Sequence, residues 1–243
     1  MGSNSPGDSQ ERYRRQLELF GRSGQKALKN STVAVVGLGG LGSPAATYLA
    51  IAGVGELVLA DHDEVVLSNL NRQFLHWDKD LNRGKTSSAR EKLQNLNQEI
   101  TVKTLEGKLT SRNIHSLPEI DLIIGSVDNF ETRYLLNNFS IDRDIPYIHG
   151  AIEGFSGQLT TVIPGETPCL RCFFPDKPPE KTGIPVLGTT AGVIGTLMAN
   201  EAIKYLTGKG ELTTGELVIV DLSSNDFDSI KIQKNPTCKT CGD

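Results

Sequence analysis

The stretch GLGGLGSPAATYLAIAGVGELVLADHDEVVLSNLNRQ, residues 37–73, decides the fold. Gly37, Gly39 and Gly42 satisfy G-x-G-x-x-G directly after the apolar run STVAVVG (31–37) and directly before a run with helical character, 43–52. Glycines at these positions permit a tight turn and a close backbone approach, and the helix that follows offers its N-terminus to negative charge. ELVLAD (56–61) reads as a second strand ending on Asp61, 19 residues past Gly42, where a carboxylate can accept hydrogen bonds from a ribose. The unit is therefore βαβ with a parallel sheet and a nucleotide at its turn. Glycines alone suggest a dinucleotide; Arg72, shortly after the ribose-binding acid, suggests that phosphates are worked on.

Outward from this unit the pattern continues. Residues 10–28 place Tyr13, Leu17 and Phe20 at helical spacing, with Arg12, Arg15 and Arg22 on other faces. Residues 84–97 read as a helix with Ala89, Leu93 and Leu96 on one face, and 129–143 as another. ITVKTLEG, IDLIIGS and PYIHGAI read as strands. Beyond Gly150 the character changes. FSGQLTTVIP looks like an antiparallel strand, PDKPPEKTGIPVLG holds four prolines and reads as an extended, mobile segment, and a helix over about 190–206 precedes the strands GELVIVDL and DFDSIKI. One domain is expected over 11–243, with a nucleotide-binding half (11–150) and a second half (151–243), after a flexible polar arm at 1–10.

The chain has 243 residues, 37% hydrophobic and 22% charged, with a net charge of −4. That balance is typical of a globular protein and speaks against nucleic acid as the main partner. Residues 31–55 carry no charge, but the glycines at 37, 39, 40 and 42 and Pro44 make strand, turn and helix a better reading than a membrane span. The first ten residues lack the apolar core of a signal peptide, so the cytoplasm is the expected compartment.

Several polar residues are candidates for chemistry, each with a plainer alternative. Arg72 lies in a polar run with Ser68, Asn69, Asn71 and Gln73, anchored by Leu70 and Phe74; it is a phosphate ligand or a surface arginine. Lys85 occupies the first turn of its helix, where the macrodipole mildly disfavours a cation unless an anion binds there; the alternative is a solvated lysine. Asp128 sits at a strand's carboxyl end, where this architecture puts its site, and reads as a magnesium-linked carboxylate. It also fits an N-cap, with Glu131 three residues on. The cysteines are more specific. Cys169 and Cys172, then Cys238 and Cys241, form two Cys-x-x-Cys pairs suited to a tetrahedral structural zinc that staples distant segments and leaves no position open for catalysis.

Taken together, RYRRQ, GLGGLG, DHDEVVLSNLNRQ, GKTSSA, SVDN, the two CxxC pairs and GVIGTLMANEAIKYLTG resemble the MoeB/ThiF/HesA family, prokaryotic relatives of ubiquitin-activating enzymes, from about Glu11 to Gly242. The resemblance implies a Rossmann-like α/β sheet, parallel in the N-terminal half and extended by antiparallel strands in the C-terminal half, with a four-cysteine zinc site. It implies Mg-ATP-dependent adenylation of the C-terminal glycine of a small ubiquitin-like carrier ending in Gly-Gly. By position, Gly40 approaches the nucleotide, Asp61 binds ribose, the run Ser68, Asn69, Leu70, Asn71 and Arg72 borders the nucleotide, and Asn69, Arg72 and Lys85 contact phosphates. Asp128 holds magnesium with Asn129 beside it, and Arg15 crosses a homodimer interface into the neighbouring site. Segment 173–190 has no cysteine, so adenylate formation without a carrier thioester is expected, with sulfur supplied by another protein. The carrier's pathway (molybdopterin, thiamine, tRNA thiolation or protein conjugation) stays open. An NAD-dependent oxidoreductase and a non-catalytic zinc-stapled partner module are the rival readings.

Overall fold

The computed structural model describes residues 9–179 and 183–242. Its eight strands, β1 (Thr32–Val36), β2 (Glu56–Asp61), β3 (Thr101–Glu106), β4 (Leu122–Gly125), β5 (Tyr147–Glu153), β6 (Ser156–Val162), β7 (Glu216–Asp221) and β8 (Asp226–Lys231), form one sheet in the order β3-β2-β1-β4-β5-β6-β7-β8. The first five are parallel and the last three run antiparallel to their predecessors. Helices are α1 (Ser9–Arg12), α2 (Arg14–Asn30), α3 (Gly42–Ala52), α4 (Lys85–Leu96), α5 (Phe130–Arg143), α6 (Leu170–Phe173) and α7 (Gly188–Thr207). The expected architecture is present, parallel in one half and antiparallel in the other.

Burial on both faces explains the unbroken apolar runs at the sheet's centre. Val33 and Val35 on β1 join Leu57, Leu59, Leu122 and Ile124 in a core closed by α3, α4 and α7. Ala34, Val36, Val58 and Ile123 point the other way, into a core closed by α5 and the Cys169–Leu170 segment. The uncharged stretch 31–55 resolves into β1, a turn and α3, and α3 is buried nearly all round because α7 covers its outer side. No described helix is long and apolar enough to cross a membrane.

Three local readings need correction. The N-terminal helix is interrupted: Gly21 is non-helical at φ 69°, so Tyr13 and Phe20 are buried while the chain is re-aimed before Leu28. Leu96 ends α4 and is exposed, unlike Ala89 and Leu93. The cap of α5 is Asn129, whose side chain accepts from Thr132 N at 2.9 Å, so Asp128 is free of that duty. The proline-rich stretch lies partly outside the described residues, at 180–182; beyond it, Gly154 N donates to Pro185 O at 2.7 Å.

Candidate active site

Strand order reverses between β1 and β4, and ligands of such sheets bind where it does, at the strands' carboxyl ends. A cleft of about 820 Å³ opens there. Gly37 follows β1, Asp61 ends β2 and Ser126 follows β4, so three strand ends converge on it. Two of the glycines are demanded by the turn itself. A Cβ on Gly37 (φ 91°) would lie 2.5 Å from Ser126 O, and one on Gly42 would lie 1.9 Å from Gly37 O. Ser126 Oγ clasps the crossing by donating to Val36 O and Gly37 O at 2.9 and 2.6 Å.

The Asp61 carboxylate fastens the glycine turn: Leu38 N donates to one oxygen at 2.6 Å and Asp63 N to the other at 2.9 Å. Carboxylate oxygens each have a second lone pair, so this anchoring is compatible with a ribose hydroxyl as a further donor. Lys85 is 5% exposed and its ammonium donates to Asp63 at 2.8 Å. Burial raises the Asp63 pKa, but the hydrogen bond and charge of Lys85 outweigh it and the carboxyl ends below its ordinary value. Sequence reading missed Asp63, although its place two residues after Asp61 put it beside the site. Arg72 lines the cleft and is folded onto its own loop, donating to Ser68 O at 2.7 Å and Asn71 Oδ1 at 3.1 Å.

The loop carrying Arg72 is held from beneath by buried polar groups. His76 lies between Ser88 Oγ (2.9 Å) and Leu38 O (3.0 Å), which requires Nε2 to carry the proton toward the carbonyl. Burial depresses its pKa. Lys92 Nζ donates to Asp80 Oδ2 at 2.5 Å and to Ser88 Oγ at 2.8 Å. Arg83 donates to the same Asp80 at 2.7 Å. Burial opposes ionisation of Asp80, but Lys92 and the Trp77 N–H prevail and its pKa falls to about 2.

The cleft thus gathers Gly37, Gly39, Gly40, Asp61, Arg72, Lys85, Asp128 and Asn129. Gly42 supports the turn from behind. Ser68, Asn69, Leu70 and Asn71 lie outside the cleft lining and shape the Arg72 loop, with Gln73 N and Arg72 N both donating to Asn69 O. Arg15 is exposed on α2 and contributes nothing to the cleft of its own chain. One further lining residue, Arg133, had no signal in the sequence; Gln73, the last of the polar run, also lines the cleft as a 4%-exposed amide whose Oε1 has no partner among the described residues.

Against α5, further along the helix from the cleft, the four cysteines converge. Their Sγ atoms lie within 4.8 Å of one another, with Cys169 to Cys238 at 3.7 Å and Cys172 to Cys241 at 3.5 Å. A tetrahedral zinc–tetrathiolate centre with bonds of about 2.3 Å needs sulfurs about 3.8 Å apart, so the quartet fits such an ion.

A profile of the ThiF family matches residues 13–240. The chain belongs to the ThiF family. Among ThiF-family relatives, the SAMP-activating enzyme E1 of Haloferax volcanii is 41% identical over 241 residues, covering 96% of this chain and 89% of that protein. Adenylyltransferase and sulfurtransferase MOCS3 of Drosophila ananassae is 43% identical over 243 residues, and the match spans 96% of this chain but only 54% of that protein. The crystal structure of E. coli MccB with ATP superposes at a TM-score of 0.85 with 26% identity, covering 96% of this chain and 75% of that one.

Proposed function

We propose that this ThiF-family adenylyltransferase uses ATP to activate the C-terminal glycine of a small ubiquitin-like sulfur carrier of the MoaD or ThiS type. The observation that carries the reading is the convergence of Asp61, Arg72, Lys85 and Asp128, from four separate segments, on one cleft beside a glycine turn. The relative named for activating SAMP supports the choice of carrier.

In the reaction a carrier carboxylate oxygen bonds to the α-phosphorus, the bond from that phosphorus to the bridging oxygen breaks, and pyrophosphate leaves with the electron pair. No covalent nucleophile on the protein is needed; positioned positive charge is. Asp61 orients the ribose. Lys85, held by Asp63, is set to exchange that carboxylate for phosphate oxygens, and Arg72 to unfold from Ser68 O toward the same group. Asp128, relieved of capping by Asn129, is the residue that would hold magnesium, which when bound neutralises phosphate charge. Arg15, in this reading, enters the partner's cleft across a homodimer, and the site is complete only in the dimer.

The cysteine quartet holds a structural zinc, with no coordination position left open for chemistry. Since all four cysteines serve it, the product on this chain is an acyl-adenylate, and sulfur arrives from a separate donor protein. Reduced thiolates of this kind suit a cytoplasmic location. Carrier-dependent ATP–pyrophosphate exchange, run against a panel of small ubiquitin-like proteins ending in Gly-Gly, tests the reading. Exchange with one of them, with acyl-adenylate and no carrier thioester by mass spectrometry, is the expected result. Mg-ATP binding without exchange would move the assignment to a non-catalytic partner module, and NAD binding without ATP binding to an oxidoreductase.

A further inference from the structure

Arg133 is 8% exposed, lines the cleft, and makes no ion pair among the described residues. Its Nε and Nη2 both donate to one acceptor, Val127 O, at 3.1 and 3.0 Å. The guanidinium lies over the Phe130 ring at 4.8 Å. Phe130 itself packs against Phe174 at 5.6 Å, so the cation is walled off from water on that side. Burial pulls the Arg133 pKa below its ordinary value, and nearby acidic groups, Asp128 among them, oppose that fall.

A buried cation is expensive to keep unless its charge is used. A carbonyl oxygen that accepts two charge-assisted N–H bonds, one on each lone pair, is held more firmly in place than one that accepts a single neutral bond. The peptide fixed here joins Val127 to Asp128. Asp128 needs such support: it is exposed, does not cap α5, and among the described residues its side chain hydrogen-bonds only with Asn129 Nδ2, at a long 3.4 Å. Arg133 reaches the backbone next to this carboxylate without pairing with it, so the carboxylate stays free.

We propose that Arg133 is a positioning residue for Asp128, holding the Val127–Asp128 peptide so that the carboxylate faces the nucleotide's divalent cation. The proposal rests on the reading of Asp128 given above, and it concerns Mg-ATP binding, which needs no carrier. The two therefore fail separately: silent exchange with every carrier would overturn the carrier assignment, and unlinked magnesium dependence would overturn this one.

The test is calorimetric titration of ATP with and without Mg²⁺ into the wild-type chain and the R133Q, R133K, D128N and R133Q/D128N variants. The ratio of the two ATP affinities is the quantity read. It should fall on the order of tenfold in R133Q, equally in D128N, and no further in the double variant, since residues acting through one another are not additive. Metal-free ATP affinity should stay close to wild type throughout. R133K keeps the charge and loses the fork, so its ratio should lie between wild type and R133Q; it also supplies the reading if R133Q does not fold. A wild-type ratio in a folded R133Q or R133K, or additive losses in the double variant, would overturn the proposal and leave Arg133 a packing residue.

Discussion

Between β2 and α4, the loop of residues 62–84 is fastened by charges the chain supplies itself. Asp80, with its side chain fully buried, takes Lys92 and Arg83, and His76 ties α4 to the glycine turn. At the opposite end of the sheet, β8 is exposed along its whole length and the chain leaves it toward Cys238 and Cys241. The chain then returns to α5, where the two cysteine knuckles are each docked by one amide: Asn137 Oδ1 accepts from Leu170 N at 2.7 Å, and Asn138 Oδ1 from Thr240 Oγ1 at 3.1 Å. The difference teaches where rigidity has to be intrinsic. Phosphates must meet a preorganised surface at every turnover, whereas a segment that closes the fold can borrow its order from a bound ion.

The largest effect should therefore come from metal removal. Stripping the quartet with a strong chelator, or replacing Cys172 and Cys238 by serine, should lower the melting temperature and expose 222–242 to protease, while the phosphate cleft keeps most of its ATP affinity. Structural zinc contributes about 10–16 kcal/mol in isolated finger peptides, an upper bound for a domain with its own core. Equal loss of ATP affinity and stability would show that the two ends are not independently held.

On the cleft side, Lys92→Met should cost about 1–3 kcal/mol, because the buried Asp80 carboxylate loses one of its two cations and keeps only Arg83 and the Trp77 N–H. The double change with Asp80→Asn should recover much of that in urea unfolding; no recovery would mean that Lys92 matters by packing alone. Arg72→Ala probes function instead. Loss of this cation from the cleft should slow carrier-dependent exchange on the order of 10²–10³-fold, about 3–4 kcal/mol, with little change in stability. A near-normal rate would remove Arg72 from the chemistry.

These contrasts also mark what could be read from the sequence. The sheet, its change from parallel to antiparallel, and the cysteine quartet were legible because each rests on a local pattern with a fixed period or spacing. The place of Asp61 at the end of β2, beside the glycine turn, was legible for the same reason. Asp63 and Arg133 were not, since their roles arise when the Lys85 helix, the β4 exit and the glycine turn are brought together in space. The cap on α5 was misread by one residue: DN offers two good caps, and only the path of the chain leaving β4 chooses Asn129.

Acid should unlock the cleft side in stages. His76 is buried with a depressed pKa, so the unfolded chain binds the proton more readily and stability falls as pH drops through the ordinary value of about 6.5. Asp80 follows. Its folded pKa is about 2 against a reference of 3.8, so its contribution, on the order of 2 kcal/mol, is present above pH about 4 and lost as pH falls toward 2. Trp77, the only tryptophan, sits with its ring 4.8 Å from Lys79 and 4.7 Å from Lys92. Its fluorescence should report the second stage, and an unchanged signal between pH 4 and 2 would separate Asp80 from the loop.

The smallest effect divides the neighbours Asp128 and Asn129. Asn129 satisfies the Thr132 N–H at the start of α5, so Asn129→Ala should cost about 1 kcal/mol of stability, and Asn129→Ser, which keeps an acceptor, only a few tenths. Asp128→Asn should leave stability unchanged, because its carboxylate supports no cap, yet weaken the magnesium dependence of ATP binding. The two residues share the same turn and both line the cleft. If Asp128→Asn destabilises as much as Asn129→Ala, the cap is shared between them, and the free carboxylate proposed above as the magnesium ligand does not exist.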